Sequence, residues 1–114
     1  MVLIRIKRIK KVVEELINSA VEIHQTTELS KLIAFLIQKD GKYVILISSK
    51  ICKREEEVVA AIVHETTHVL IGSPKHTNNF YKKLREVALY FDDKMGYEKG
   101  TVLKYIGELD KVVE

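Results

Sequence analysis

The sequence predicts an α+β domain in which one helix precedes an antiparallel β-hairpin or small sheet and three helices follow it. Three features point there. Asp40-Gly41 separates two apolar runs rich in β-branched and aromatic residues, and Asp-Gly supplies the positive φ angles of a two-residue hairpin turn. Apolar residues recur at three- and four-residue spacing on either side of that hairpin. Gly72-Ser73-Pro74 and Gly96 are helix stops, because glycine takes the left-handed cap and proline cannot continue a helix. A chain of 114 residues has room for one core, so residues 1–114 are read as a single domain.

The first helix is expected from about Ile4 to His24. Val12, Leu16, Ile17, Ala20 and Val21 form its apolar stripe, and Arg5, Lys7, Arg8, Lys10 and Lys11 its solvated face. His24 then falls at the helix C-terminus as a surface residue. The two strands are expected over Lys31–Gln38 and Tyr43–Ile51. Glu55-Glu56-Glu57 open the second helix, where carboxylates meet the positive end of the helix dipole. Val58, Val59, Ile62, Val63, Val69 and Leu70 make that helix mostly apolar and therefore buried. A third helix is expected over about Thr77–Lys94, with Phe80, Leu84, Val87, Ala88 and Phe91 on one face. A fourth spans about Thr101–Val113 and is amphipathic through Val102, Leu103, Ile106 and Leu109.

Composition excludes several classes of protein. With Cys52 as its one cysteine, the chain forms no internal disulfide, which suits a reducing compartment. Cys52 lies near Lys50, Lys53 and Arg54, yet reads as a small apolar filler at a strand end rather than as a reactive thiol. A net charge of +3 is too weak a bias to argue for nucleic acid. Apolar runs such as Leu32–Ile37 reach six residues, far short of the ~18–20 that span a bilayer. The N-terminus has no apolar secretory segment. The expectation is a cytoplasmic protein with no membrane span and no nucleic-acid partner.

The buried second helix carries His64-Glu65-Thr66-Thr67-His68. Two histidines four apart share one helical face, so both imidazoles can converge on a single ion. Glu65 projects beside them, where a carboxylate takes a proton from a water held by that ion. Polar side chains in mid-helix among apolar neighbours are costly without partners, so an ion-free core role for the histidines is the weaker reading. His76 follows just past the Gly-Ser-Pro break, and a chain that reverses there returns it to the pair. Three protein ligands with one position left open is the pattern of a catalytic zinc site rather than a structural one. Three acids on the third helix, Glu86, Asp92 and Asp93, are the alternatives to His76.

The run Val59 to His68, the break at Gly72, and His76 followed by Phe80-Tyr81 resemble zinc metallopeptidases of the gluzincin type, and the layout resembles the minigluzincins, small soluble single-domain peptidases. That resemblance implies a peptide-bond hydrolase with Zn2+ as cofactor, His64, His68 and His76 as ligands and Glu65 as general base and acid. Most gluzincins use a glutamate as third ligand, where this chain offers His76. The resemblance further implies that an edge strand pairs with an extended peptide or unfolded-protein substrate, and that Tyr81, or else Tyr90, steadies the developing oxyanion. It also implies latency, in which the C-terminal segment 97–114 covers the cleft, in cis or in a homodimer that swaps the fourth helix. Gly96 and Gly100 would be its hinges, and Glu108, Asp110 or Glu114 its acid at the metal. The alternative is a non-enzymatic zinc-binding interaction module derived from such a peptidase.

Overall fold

The computed structural model of the chain describes residues 4–29 and 32–112. Helix α1 (Ile6–Ile17) leads into β1 (Val21–Thr26), then β2 (Ala34–Lys39) and β3 (Lys42–Ser48), and the chain finishes with α2 (Glu55–Ile71), α3 (Asn78–Met95) and α4 (Thr101–Val112). The α+β class and the four helices are as expected. Lys31 and Val113, at the margins of an expected strand and helix, lie outside the described residues.

The first helix is shorter than its apolar spacing predicts, and His24 is not at its end. Asn18 takes the left-handed conformation (φ 52°, ψ 46°) and its N–H bonds the Glu14 carbonyl, which closes the helix. Val21, Glu22, Ile23 and His24 then continue as a strand. Ala20, Val21 and His24 satisfy a helical spacing by coincidence, while Val21 and Ile23 face inward with the period of two that governs. The hairpin is therefore part of a three-stranded sheet in the order β1-β3-β2. β1 runs parallel to β3, with Val21 opposite Tyr43 and Thr26 opposite Ser48. β2 runs antiparallel to β3, with Ala34 opposite Ile47 and Lys39 opposite Lys42. The turn is as predicted, with Asp40 at φ 52° and Gly41 at φ 77°, both positive as a two-residue turn of this twist requires.

Helix α2 is the hub, packing on α1, β2, β3, α3 and α4. Its Val58–Val63 run is buried, and Phe80, Phe91, Ile9, Ile45 and Val102 join it in one connected core. On α1, Ile9, Val12 and Val13 are buried while Lys7, Arg8, Lys10 and Lys11 are exposed, so the basic run is a solvated face. Cys52 is buried, and that burial, with Glu57 nearby, pushes its thiol up to about 12, which makes it an inert filler. No described helix is long and apolar enough to cross a membrane.

Two carboxylates tie the ends of this core together. Asp92, buried on α3, accepts the backbone N–H groups of Gly100 (2.8 Å) and Val102 (3.0 Å) and so caps the start of α4. Glu55, expected only to suit a helix dipole, is buried and accepts hydrogen bonds from the Arg5 backbone N–H (2.8 Å), the Arg5 guanidinium (2.7 Å) and the Tyr97 hydroxyl (2.6 Å). Burial alone would raise its carboxyl, but the bonds from Arg5 and Tyr97 outweigh it and hold the group at about 2. A carboxyl held low in the fold stabilises it fully above its ordinary value near 4.5, and the contribution fades as pH falls toward 2. The shift is equivalent to about 3 kcal/mol, which solvent screening at the 42% exposed Arg5 side chain reduces to about 2 kcal/mol. Glu55→Gln should therefore lose about 2 kcal/mol in urea unfolding at pH 7 and match the wild type near pH 2. An equal deficit at both pH values would mean that shape rather than charge holds the clamp.

Candidate metal centre

The last two turns of α2 carry His64, Glu65 and His68. Helical geometry stacks the two histidines on one face, and their Nε2 atoms lie 3.0 Å apart. Gly72 stops the helix in the left-handed conformation (φ 73°), so the chain doubles back through Ser73 and Pro74. That reversal brings His76 Nε2 to 3.1 Å from His68 Nε2. Thr77 then caps α3 by accepting the Phe80 N–H at 3.3 Å. The capped helix places the fully buried Phe80 ring against all three imidazoles, at centroid distances of 5.4, 4.6 and 4.8 Å from His64, His68 and His76.

The donor set fits a metal ion. The Ser73 carbonyl, 3.0 Å from His68 Nδ1, can only accept, so Nδ1 carries the proton and Nε2 keeps its lone pair. One lone pair accepts one hydrogen bond, yet two ring nitrogens approach this one equally closely. Three nitrogens crowded in this way could share one cation. Nitrogens bound tetrahedrally at zinc distances lie about 3.3 Å apart; His68 Nε2 is near that separation from each of the other two, and all three lie within 4.8 Å of one another. Burial, then the neighbouring His68 and His76, push the His64 ring down to about 4, so the ring is neutral at pH 7. Among the described residues, these three form the one group of three or more His, Cys, Asp or Glu side chains close enough to share an ion.

The competing acids are engaged elsewhere. Asp92 caps α4. Glu86 sits on the surface beside Lys83 at 3.2 Å, and Asp93 is exposed outside the histidine group. His24 is an exposed strand residue, outside the group as well.

Glu65 sits where two clefts meet. A cavity of about 350 Å³ is lined by Glu65, His64 and His76, by Leu32–Ala34 at the start of β2, and by Ile106, Leu109 and Asp110 of α4. A second cleft, about 370 Å³, runs from Glu65 and His68 past Ala34–Leu36 to Gly72–Pro74. Burial pushes the Glu65 carboxyl up to about 7. β2 is an edge strand of the sheet and borders both clefts.

The structure separates the two tyrosines. Tyr81 is exposed, 6.3 Å from the His76 ring and packed edge-on against Phe80 at 5.4 Å. The Tyr90 hydroxyl instead donates to Glu15 of α1 at 3.4 Å. Of the tail acids, Asp110 lines the cavity, Glu108 is exposed and not part of its lining, and Glu114 lies outside the described residues. Helix α4 is a core element, with Val102, Ile106 and Leu109 buried and Asp92 holding its start. Sequence reasoning missed Ser73, whose contribution is a carbonyl and so carries no side-chain signal. It read Phe80 as a packing residue and as part of the resembling motif, without a role against the imidazoles, although the position four residues after His76 on a capped helix was visible.

Compared with protein-family models, with curated proteins and with solved structures, the chain matches none of them.

Proposed function

We propose that this chain is a zinc-dependent metalloendopeptidase of the gluzincin type that hydrolyses peptide bonds in unfolded chains or short peptides. The convergence of three histidine Nε2 atoms beside a half-buried glutamate at the meeting of two clefts carries this reading. His64, His68 and His76 would hold the ion. Bound there, zinc polarises a carbonyl and lowers the pKa of water. Glu65 is the group that takes the proton from the attacking water and returns it to the departing amine. Its carboxyl, pushed up by burial toward neutral pH, suits both directions of transfer. The β2 edge offers main-chain groups to an extended substrate, a mode that accepts many sequences. Phe80, wedged beneath the imidazoles, keeps them converged. A module that only bound zinc would have no use for Glu65 in the cleft.

The reading is tested on purified protein loaded with zinc and desalted. The expected result is about one zinc per chain and slow cleavage of a fluorescently labelled unfolded protein, with cleavage abolished by a chelator and restored by zinc. One zinc without any cleavage would favour the non-enzymatic module, and no zinc would sink both.

A further inference from the structure

We propose that the cavity between β2 and α4 receives a lysine or arginine side chain of the substrate, its aliphatic stem along Ala60, Ala61, Ile106 and Leu109 and its cationic head at Asp110. This rests on the peptidase reading for its meaning, but the binding it predicts is measurable alone. His64 and Glu65 line the cavity, so the side chain next to a carbonyl placed at the histidines is within reach of it. Its walls are apolar, and Ala34, Ala60 and Ala61 leave room for a long unbranched chain. Among the described residues, two acids face it, Glu65 and Asp110, and no lysine or arginine is part of its lining. Asp110 makes no salt bridge among the described residues. An apolar side chain would fill the walls but cover the Asp110 carboxylate without a partner. An acidic one would meet like charge. A lysine or arginine satisfies both, with its stem on the apolar wall and its head at the wet rim.

The assignment gives α4 a role distinct from a removable plug. Val102, Ile106 and Leu109 belong to the core, and Ile106, Leu109 and Asp110 form one wall of the cavity.

The test uses full-length Glu65→Gln protein loaded with zinc, so that peptides bind without turnover. Acetylated, amidated Ala-Lys-Ala, Ala-Leu-Ala and Ala-Glu-Ala are titrated while the amide signals of Ile106 and Leu109 are followed by NMR. The lysine peptide should bind about fivefold more tightly than the leucine peptide at low salt, with the glutamate peptide weakest. Asp110→Asn should level lysine and leucine, Asp110→Lys should favour glutamate, and 0.5 M salt should erase the preference. Leucine binding as tightly as lysine, a preference that survives Asp110→Asn, or no shifts with any peptide at 10 mM would each overturn the proposal. So would Asp110→Asn in the otherwise wild-type chain raising cleavage of all three peptides equally, which would mark Asp110 as a plug. Failure of the peptidase reading shows separately, as wild-type protein that binds the lysine peptide and cleaves nothing.

Discussion

Glu65→Gln should keep about one zinc per chain and lose peptide hydrolysis by about 10²–10⁴-fold, the usual worth of a positioned general acid–base group. The amide matches the carboxylate in shape, so lining and packing of the two clefts survive. What it removes is the capacity to accept a proton and give it back. Burial already disfavours the charged form of this side chain, so the fold should accept a neutral amide there. Circular dichroism of the variant separates loss of activity from unfolding. The decisive pair of measurements is zinc content and initial cleavage rate on the same preparation. Full activity with zinc retained would remove Glu65 from the chemistry, and simultaneous loss of zinc would recast it as a ligand.

His68→Ala should weaken zinc binding by about 10²–10³-fold, the share of one ligand in a site worth about 10–16 kcal/mol. His68 is the pivot of the cluster. Its Nε2 faces both other histidines, and its Nδ1 is anchored on the Ser73 carbonyl. His76→Ala should cost metal as well, but less, because His76 is exposed on a loop while His64 and His68 are held by a helix. His24→Ala, on the far strand position, should leave zinc content unchanged. Competition against a fluorescent chelator measures all three, with circular dichroism to confirm that each variant is folded. Equal affinity in His68→Ala and wild type would place the metal elsewhere.

The candidate site was legible in the sequence to an unusual degree because its parts are local. Two histidines four apart on a helix share a face by geometry alone, and Gly72-Ser73-Pro74 forces the reversal that returns His76. The three histidines lie within thirteen consecutive residues, so short-range rules sufficed to bring them together. The end of α1 was not legible, because Ala20, Val21 and His24 continue a helical period while Val21 and Ile23 equally fit a strand period. The choice fell to pairing, with β3 available as a parallel partner. The clamp of Glu55 by Arg5 and Tyr97 was equally hidden, since its partners lie 50 and 42 residues away.

Local chemistry thus determined the α+β class, the Asp40-Gly41 turn, the helix stops and the convergence of the three histidines. Those features depend on backbone conformations and spacings that a few neighbouring residues dictate. Only the tertiary structure decided which edge of the sheet faces Glu65, which acid is spent as a cap, and which tail acid reaches the cleft. Asp92, Glu108 and Asp110 are alike as letters in a sequence. One is buried against the start of α4, one faces water and one lines the cavity, because the packing of α4 on α2 sorts them. Such contacts join residues distant in the chain, and no local pattern records them.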